Sequence, residues 1–168
     1  MSKFLKVLAI VMLVITIAGA LAVLYGVNTL TPKVIQVTAQ ATPAASAQET
    51  FDAMMEQYAA GLLGGKAYGD VLGLSAEDCA FVTYTVRLQN KGFFPAEWIA
   101  LQVQPTALGD KQDMLVLDNG GANVLPAGGQ GDLAVTLLTT ITEEQPPRLI
   151  EVSCYVFGRK QVVRVQAQ

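Results

Sequence analysis

Histidine, the residue that most often moves protons near neutral pH, is absent from this chain. Ser–His and Cys–His dyads, most zinc sites and the usual neutral-pH base go with it. Ser75 thus has no evident activating partner and reads as a loop serine. Gly61-Leu62-Leu63-Gly64-Gly65-Lys66 has the look of a phosphate loop. It fails at both ends, because position 60 is Ala and the residue after Lys66 is Ala67. Asp110, Asp113, Asp118, Asn119 and Asn123 supply oxygen atoms of the kind calcium takes, but at no EF-hand spacing. Asp118-Asn119-Gly120-Gly121 is ordinary turn chemistry, and Glu143-Glu144 sits beside Pro146-Pro147 in a loop. The residues predict a non-catalytic protein with no metal and no cofactor.

Cys79 and Cys154 are the only cysteines. In an exported protein they are free to bridge. Strand alternation argues otherwise: Cys154 shares a face with Ile150, Val152 and Val156, whereas Cys79 falls with Phe81, Thr83 and Arg87. Two separate thiols are expected, unless a bulge intervenes.

Apolar surface is the other resource for function. Phe93, Phe94 and Trp98 cluster behind the turn Asn90-Lys91-Gly92, with Trp98 on the face opposite Ile99, Leu101 and Val103. This trio is the candidate partner surface. Phe51, Met54, Met55, Tyr58 and Leu62 recur at three- and four-residue spacing and make one stripe on a helix. Its polar side carries Glu49, Asp52 and Glu56 and no lysine, so the stripe is expected to meet protein, either its own domain or a partner subunit.

These residues need elements to hold them. Val7 to Val27 carries no charge and, as a helix, spans roughly 31 Å, the hydrocarbon thickness of a bilayer. Lys3 and Lys6 precede it, so residues 1–30 read as a signal-anchor transmembrane helix with a cytoplasmic N-terminus. Cleavage after Ala20 or Ala22 is the competing reading; the apolar run continuing through Val27 favours a retained anchor. All 14 acidic residues follow this segment with 9 of the 11 basic ones, a net −5. That balance gives no reason to bind nucleic acid or an anionic lipid surface.

Residues 31–47, rich in Ala, Thr, Pro and Ser, read as a linker, with Lys33 to Thr38 able to pair as a short strand. Residues 48–65 form the amphipathic helix, opened by a Ser46/Glu49 capping box and stopped by Gly64-Gly65. From residue 70 to 168 the period becomes two. Ala80 to Gln89, Trp98 to Gln104, Met114 to Leu117, Leu133 to Leu137, Arg148 to Phe157 and Gln161 to Val165 alternate, with turn residues between them. Six or so short strands without intervening helices predict a mainly β fold, an antiparallel sandwich.

Two stretches carry a resemblance. Asn90-Lys91-Gly92 followed by Pro95-Ala96 is one, and Leu125-Pro126-Ala127-Gly128-Gly129 leading into Leu133-Ala134-Val135-Thr136 is the other. Together they resemble bacterial immunoglobulin-like modules of the cell-adhesion-related type, over Val82 to Val165. The resemblance implies an immunoglobulin-like β-sandwich in an extracytoplasmic setting and no particular function. The expectation is a single-pass envelope protein, bound to the membrane by its N-terminal helix. Its sandwich is an interaction or structural module with a protein partner, as in an accessory subunit of a membrane or cell-wall assembly. The alternative is an exported protein that binds a small ligand or polysaccharide.

Overall fold

A computed structural model describes residues 3–29, 32–104, 114–117, 123–141 and 148–167. The chain begins with helix α1 (Lys3–Thr29), within which Phe4–Gly26 is long and apolar enough to cross a membrane. Half of the described residues are strand. The strands are β1 (Lys33–Pro43), β2 (Gly65–Tyr68), β3 (Cys79–Gln89), β4 (Ala96–Gln104), β5 (Met114–Leu117), β6 (Val124–Leu125), β7 (Gln130–Thr140), β8 (Arg148–Val156) and β9 (Arg159–Ala167). Helix α2 (Gln48–Ala59) follows a 3-10 turn at Ala44–Ala47.

Two antiparallel sheets result, ordered β1-β3-β7-β5-β2 and β6-β4-β8-β9. Their facing sides share one core. Val82, Tyr84, Val86 and Leu88 of β3, with Leu133, Val135 and Leu137 of β7, meet Ile99 and Val103 of β4 and Ile150, Val152 and Val156 of β8. The alternate residues of the same strands must therefore face outward. On the five-stranded sheet that outer face is covered at one end. Leu115, Leu138 and Cys79 pack there with Phe51 and Met54 of α2, Ala44, Val71 and Ala76. The layers run helix, sheet, sheet.

Several expectations change. The described part of the expected linker 31–47 is not a tether, because Lys33–Pro43 pairs with β3 along its length from Lys33↔Gln89 to Pro43↔Ala80. The strand has no alternation to announce it: it is an edge, largely exposed on both faces. The helix stops at Ala59, and Gly65 opens β2. Ser46 does not cap α2; its hydroxyl donates to the Pro43 carbonyl at 2.7 Å. The two-sheet body therefore begins at Lys33, well before residue 70.

Chain direction gives the body two distinct ends. Lys33, Gln89 and Gln130 lie in register at one end of the five-stranded sheet. Ala96, Leu125 and Val156 are in register at the same end of the other. The turn from β3 to β4 and the β8–β9 hairpin belong to this end, and α2 to the opposite one.

Candidate functional site: an open seam and an aromatic end

Strand β6 covers only Ala96 and Glu97 of β4. Beyond them, Ile99 to Gln104 has β8 on one side and, among the described residues, no strand on the other. Across the seam lies β2, the edge of the other sheet. The two edges flank a cleft of about 560 Å³, with Lys66, Tyr68, Trp98, Gln102 and Asn123 among its lining and Val103, Val116 and Val135 at its apolar base. Lys66 Nζ stands 5.0 Å from the Tyr68 ring centre, a cation–π distance. Backbone closeness shapes this wall: a Cβ at Gly65 would come within 2.5 Å of the Val116 carbonyl oxygen. An unpaired strand edge beside apolar and aromatic side chains is the geometry that accepts an extended peptide.

Trp98 owes its position to a bulge. The β4–β8 register breaks between Glu97 and Ala100. Ala96 and Ile99 both face the core, and Trp98, at φ 52°, turns outward with 75% of its surface exposed. The turn between β8 and β9 does the same to Phe157. Phe157 (φ 50°) and Gly158 (φ 74°) are its two central residues, both left-handed as a type I′ hairpin requires. Glycine and asparagine adopt this region readily, whereas a bulky ring held there costs on the order of 1–3 kcal/mol.

The predicted trio is divided. Phe94 packs on Phe157, ring centres 4.9 Å apart and tilted by 42°. Phe93 is 83% exposed beside them, and Trp98 lines the seam cleft instead. The helix stripe is used within the fold. Phe51 and Met54 are buried against the five-stranded sheet, and Met55 and Tyr58 are packed on the same cluster. Leu62 lies past the helix and is exposed. These residues hold α2 in place and leave no open docking face.

Asn90 and Arg148 matter in ways that strand patterns do not reveal. The Asn90 amide is fully buried and donates to the carbonyls of Phe94 (2.8 Å), Leu125 (3.2 Å) and Pro126 (3.2 Å). Its oxygen accepts from the Gly92 N–H, and its own N–H donates to the Gly129 carbonyl. One side chain thus ties together the two stretches that carry the sequence resemblance, which are turns of one pinned end. Arg148 is buried between the sheets, hydrogen-bonded to Thr139 and Tyr84. Burial pushes the Tyr84 phenol above its ordinary value, and the guanidinium offsets part of that rise. The asparagine's turn neighbours Lys91 and Gly92 were a readable signal; Arg148 at the start of a strand gives none.

Electrostatics elsewhere are those of a solvated surface. Arg87 and Asp132 form a two-pronged pair across β3 and β7, both contacts 2.7 Å. The guanidinium's hydrogen bonds hold the Asp132 carboxyl below its usual range. Cys79 lies under α2 and Cys154 in the inter-sheet core, so the five-stranded sheet separates the thiols, which are not bridged. Burial raises the Cys154 thiol pKa. Asp110, Asp113, Asp118, Asn119, Glu143 and Glu144 fall outside the described residues. Among the described residues no group of three His, Cys, Asp or Glu is placed to hold a metal ion. Neither a protein-family model nor a curated protein matches the chain.

Proposed function

We propose that this chain is a single-pass envelope protein whose immunoglobulin-like body, outside the cytoplasm, is a non-catalytic interaction module. The observation that carries the reading is the edge of β4, open among the described residues, beside the Trp98 cleft. Antiparallel sheets are ordinarily guarded at such edges by charge, proline or a covering element. Here Ile99 to Gln104 carries no charge and no proline. A partner strand laid along it would gain backbone hydrogen bonds from β4 and side-chain contacts from Trp98 and Tyr68. The Lys3/Lys6 flank of the apolar helix supports the outward orientation of the body. A membrane or cell-wall assembly with this chain as an accessory subunit fits an anchored module of this size.

The presence of Trp98 and Tyr68 together with Gln102 and Asn123 in one cleft favours a second reading, in which the ligand is a polysaccharide stacked on the rings. A photoreactive amino acid at position 98 of the anchored chain separates the two. Cross-linking to one stoichiometric protein, abolished by Ala100→Lys in the cleft wall, supports the first. Glycan binding by the purified chain with no protein adduct replaces it with the second.

A further inference from the structure

The exposed aromatic rings are not scattered. Outside α1, the exposed rings among the described residues are Phe93, Trp98, Tyr155 and Phe157. All four lie at the end of the body where β1 begins, in the β3–β4 turn, the first residues of β4 and the β8–β9 hairpin. Exposed Val124 adds to them through its pairing with Glu97. Lys33, Lys91, Arg159 and Lys160 belong to the same end. Among the described residues its acidic ones are Glu97 and Asp132, and Asp132 is paired with Arg87. Glu49, Asp52, Glu56, Glu77 and Asp78 sit at or beside the opposite end, in α2 and before β3. The described residues thus divide into a basic, aromatic end and an acidic one.

Chain continuity says what the first end faces. Four residue steps separate Thr29, the last residue of α1, from Lys33, the first of β1. Fully extended, they reach at most about 14 Å. With α1 in a bilayer, this end cannot leave the lipid surface by more than that, plus any emergent turn of helix. Aromatic rings and lysines at that depth are the residues that seat a protein at the headgroup level.

We infer that this end of the two-sheet body is a membrane foot: Phe93 and Phe157 enter the headgroup region of the bilayer that α1 spans, and Lys33, Lys91 and Lys160 meet lipid phosphates. This inference rests on the anchor reading above. Because α1 tethers the foot, the contact is intramolecular in effect, and modest individual attractions suffice to hold it. Seated this way, the acidic α2 end points away from the lipid and the Trp98 cleft opens just above it.

The full chain, reconstituted into phosphatidylcholine vesicles containing phosphatidylglycerol, provides the test. Trp98 is the only tryptophan, so Trp98→Phe combined with Phe93→Trp gives a single fluorophore in the foot. Lipids brominated near the headgroup should remove most of its emission and shift the remainder to the blue. Adding Lys91→Glu and Lys160→Glu should restore emission. Trp98→Phe with Leu72→Trp, on the α2 side, should stay bright. Phe157→Trp in the same background repeats the reading if the first variant fails to fold. Alkaline carbonate extraction of the same vesicles reads the anchor independently. A chain that resists extraction but keeps full emission at position 93 overturns the foot alone. A chain released by carbonate overturns the anchor and the foot with it. Protection of position 93 from iodide without lipid quenching means that protein covers this end, and also overturns the proposal.

Discussion

Trp98 and Phe157 are the two described non-glycine residues with positive φ, and both are exposed aromatics. The Trp98 ring is largely exposed and Phe157 keeps its tilted contact with Phe94, so the fold returns only part of this strain. Phe157→Asn relieves the strain, since Asn-Gly suits a type I′ turn, but gives up the ring contact with Phe94, so the net stabilisation should be no more than about 1 kcal/mol. Urea unfolding of the chain in detergent would show it, and membrane seating should weaken in the same variant. Asn90 is the opposite case. Asn90→Ala leaves three carbonyls and one N–H without its amide, and the midpoint of the same titration should fall by an amount worth about 2–4 kcal/mol. The Arg87–Asp132 pair gives a pH signature. The folded carboxyl titrates below its unfolded counterpart, so the pair's contribution is present above the unfolded value and fades as pH falls through the folded one. Both side chains are about half exposed, so the stability gap between the parent and Asp132→Asn should be small. It should close in acid and in high salt.

At the scale of elements, α2 is a fitted part of the body. Phe51→Ala should cost about 3–5 kcal/mol, as loss of a buried ring does, whereas Leu62→Ser should stay within about 0.5 kcal/mol. Thermal melts of the two variants check this. Amphipathic spacing made the stripe of α2 legible, and alternation did the same for β3, β7 and β8, while β5 shows as a short apolar run because both of its faces are covered. Strands β1 and β2 were hard to read for a physical reason. An edge strand exposed on both faces needs no alternation, so Lys33–Pro43 passes for a linker. Gly65 is present because Val116 approaches too closely for any side chain, yet a glycine pair beside a helix reads as a stop. The seam cleft was legible only through Trp98, because its other walls come from β2, β5 and β7, which no local pattern brings together.

As a whole molecule, the chain pairs a helix of bilayer length with two sheets that share a core and a short helix that covers the far end of one of them. Its proposed function follows from placement: a body held close to lipid, one strand edge open among the described residues, and a cleft beside that edge. The central claim is that the body lies outside the cytoplasm while α1 stays in the membrane. Cys79 and Cys154 are buried, so neither should compete for a thiol probe in the folded chain, and Leu72→Cys adds one exposed thiol on the α2 side. Labelling this variant in intact spheroplasts with a membrane-impermeant maleimide, followed by alkaline carbonate extraction, is the most direct measurement. Full labelling before lysis, on a chain that stays in the membrane pellet, is the expected result. Labelling only after lysis, or release of the chain by carbonate, would contradict it.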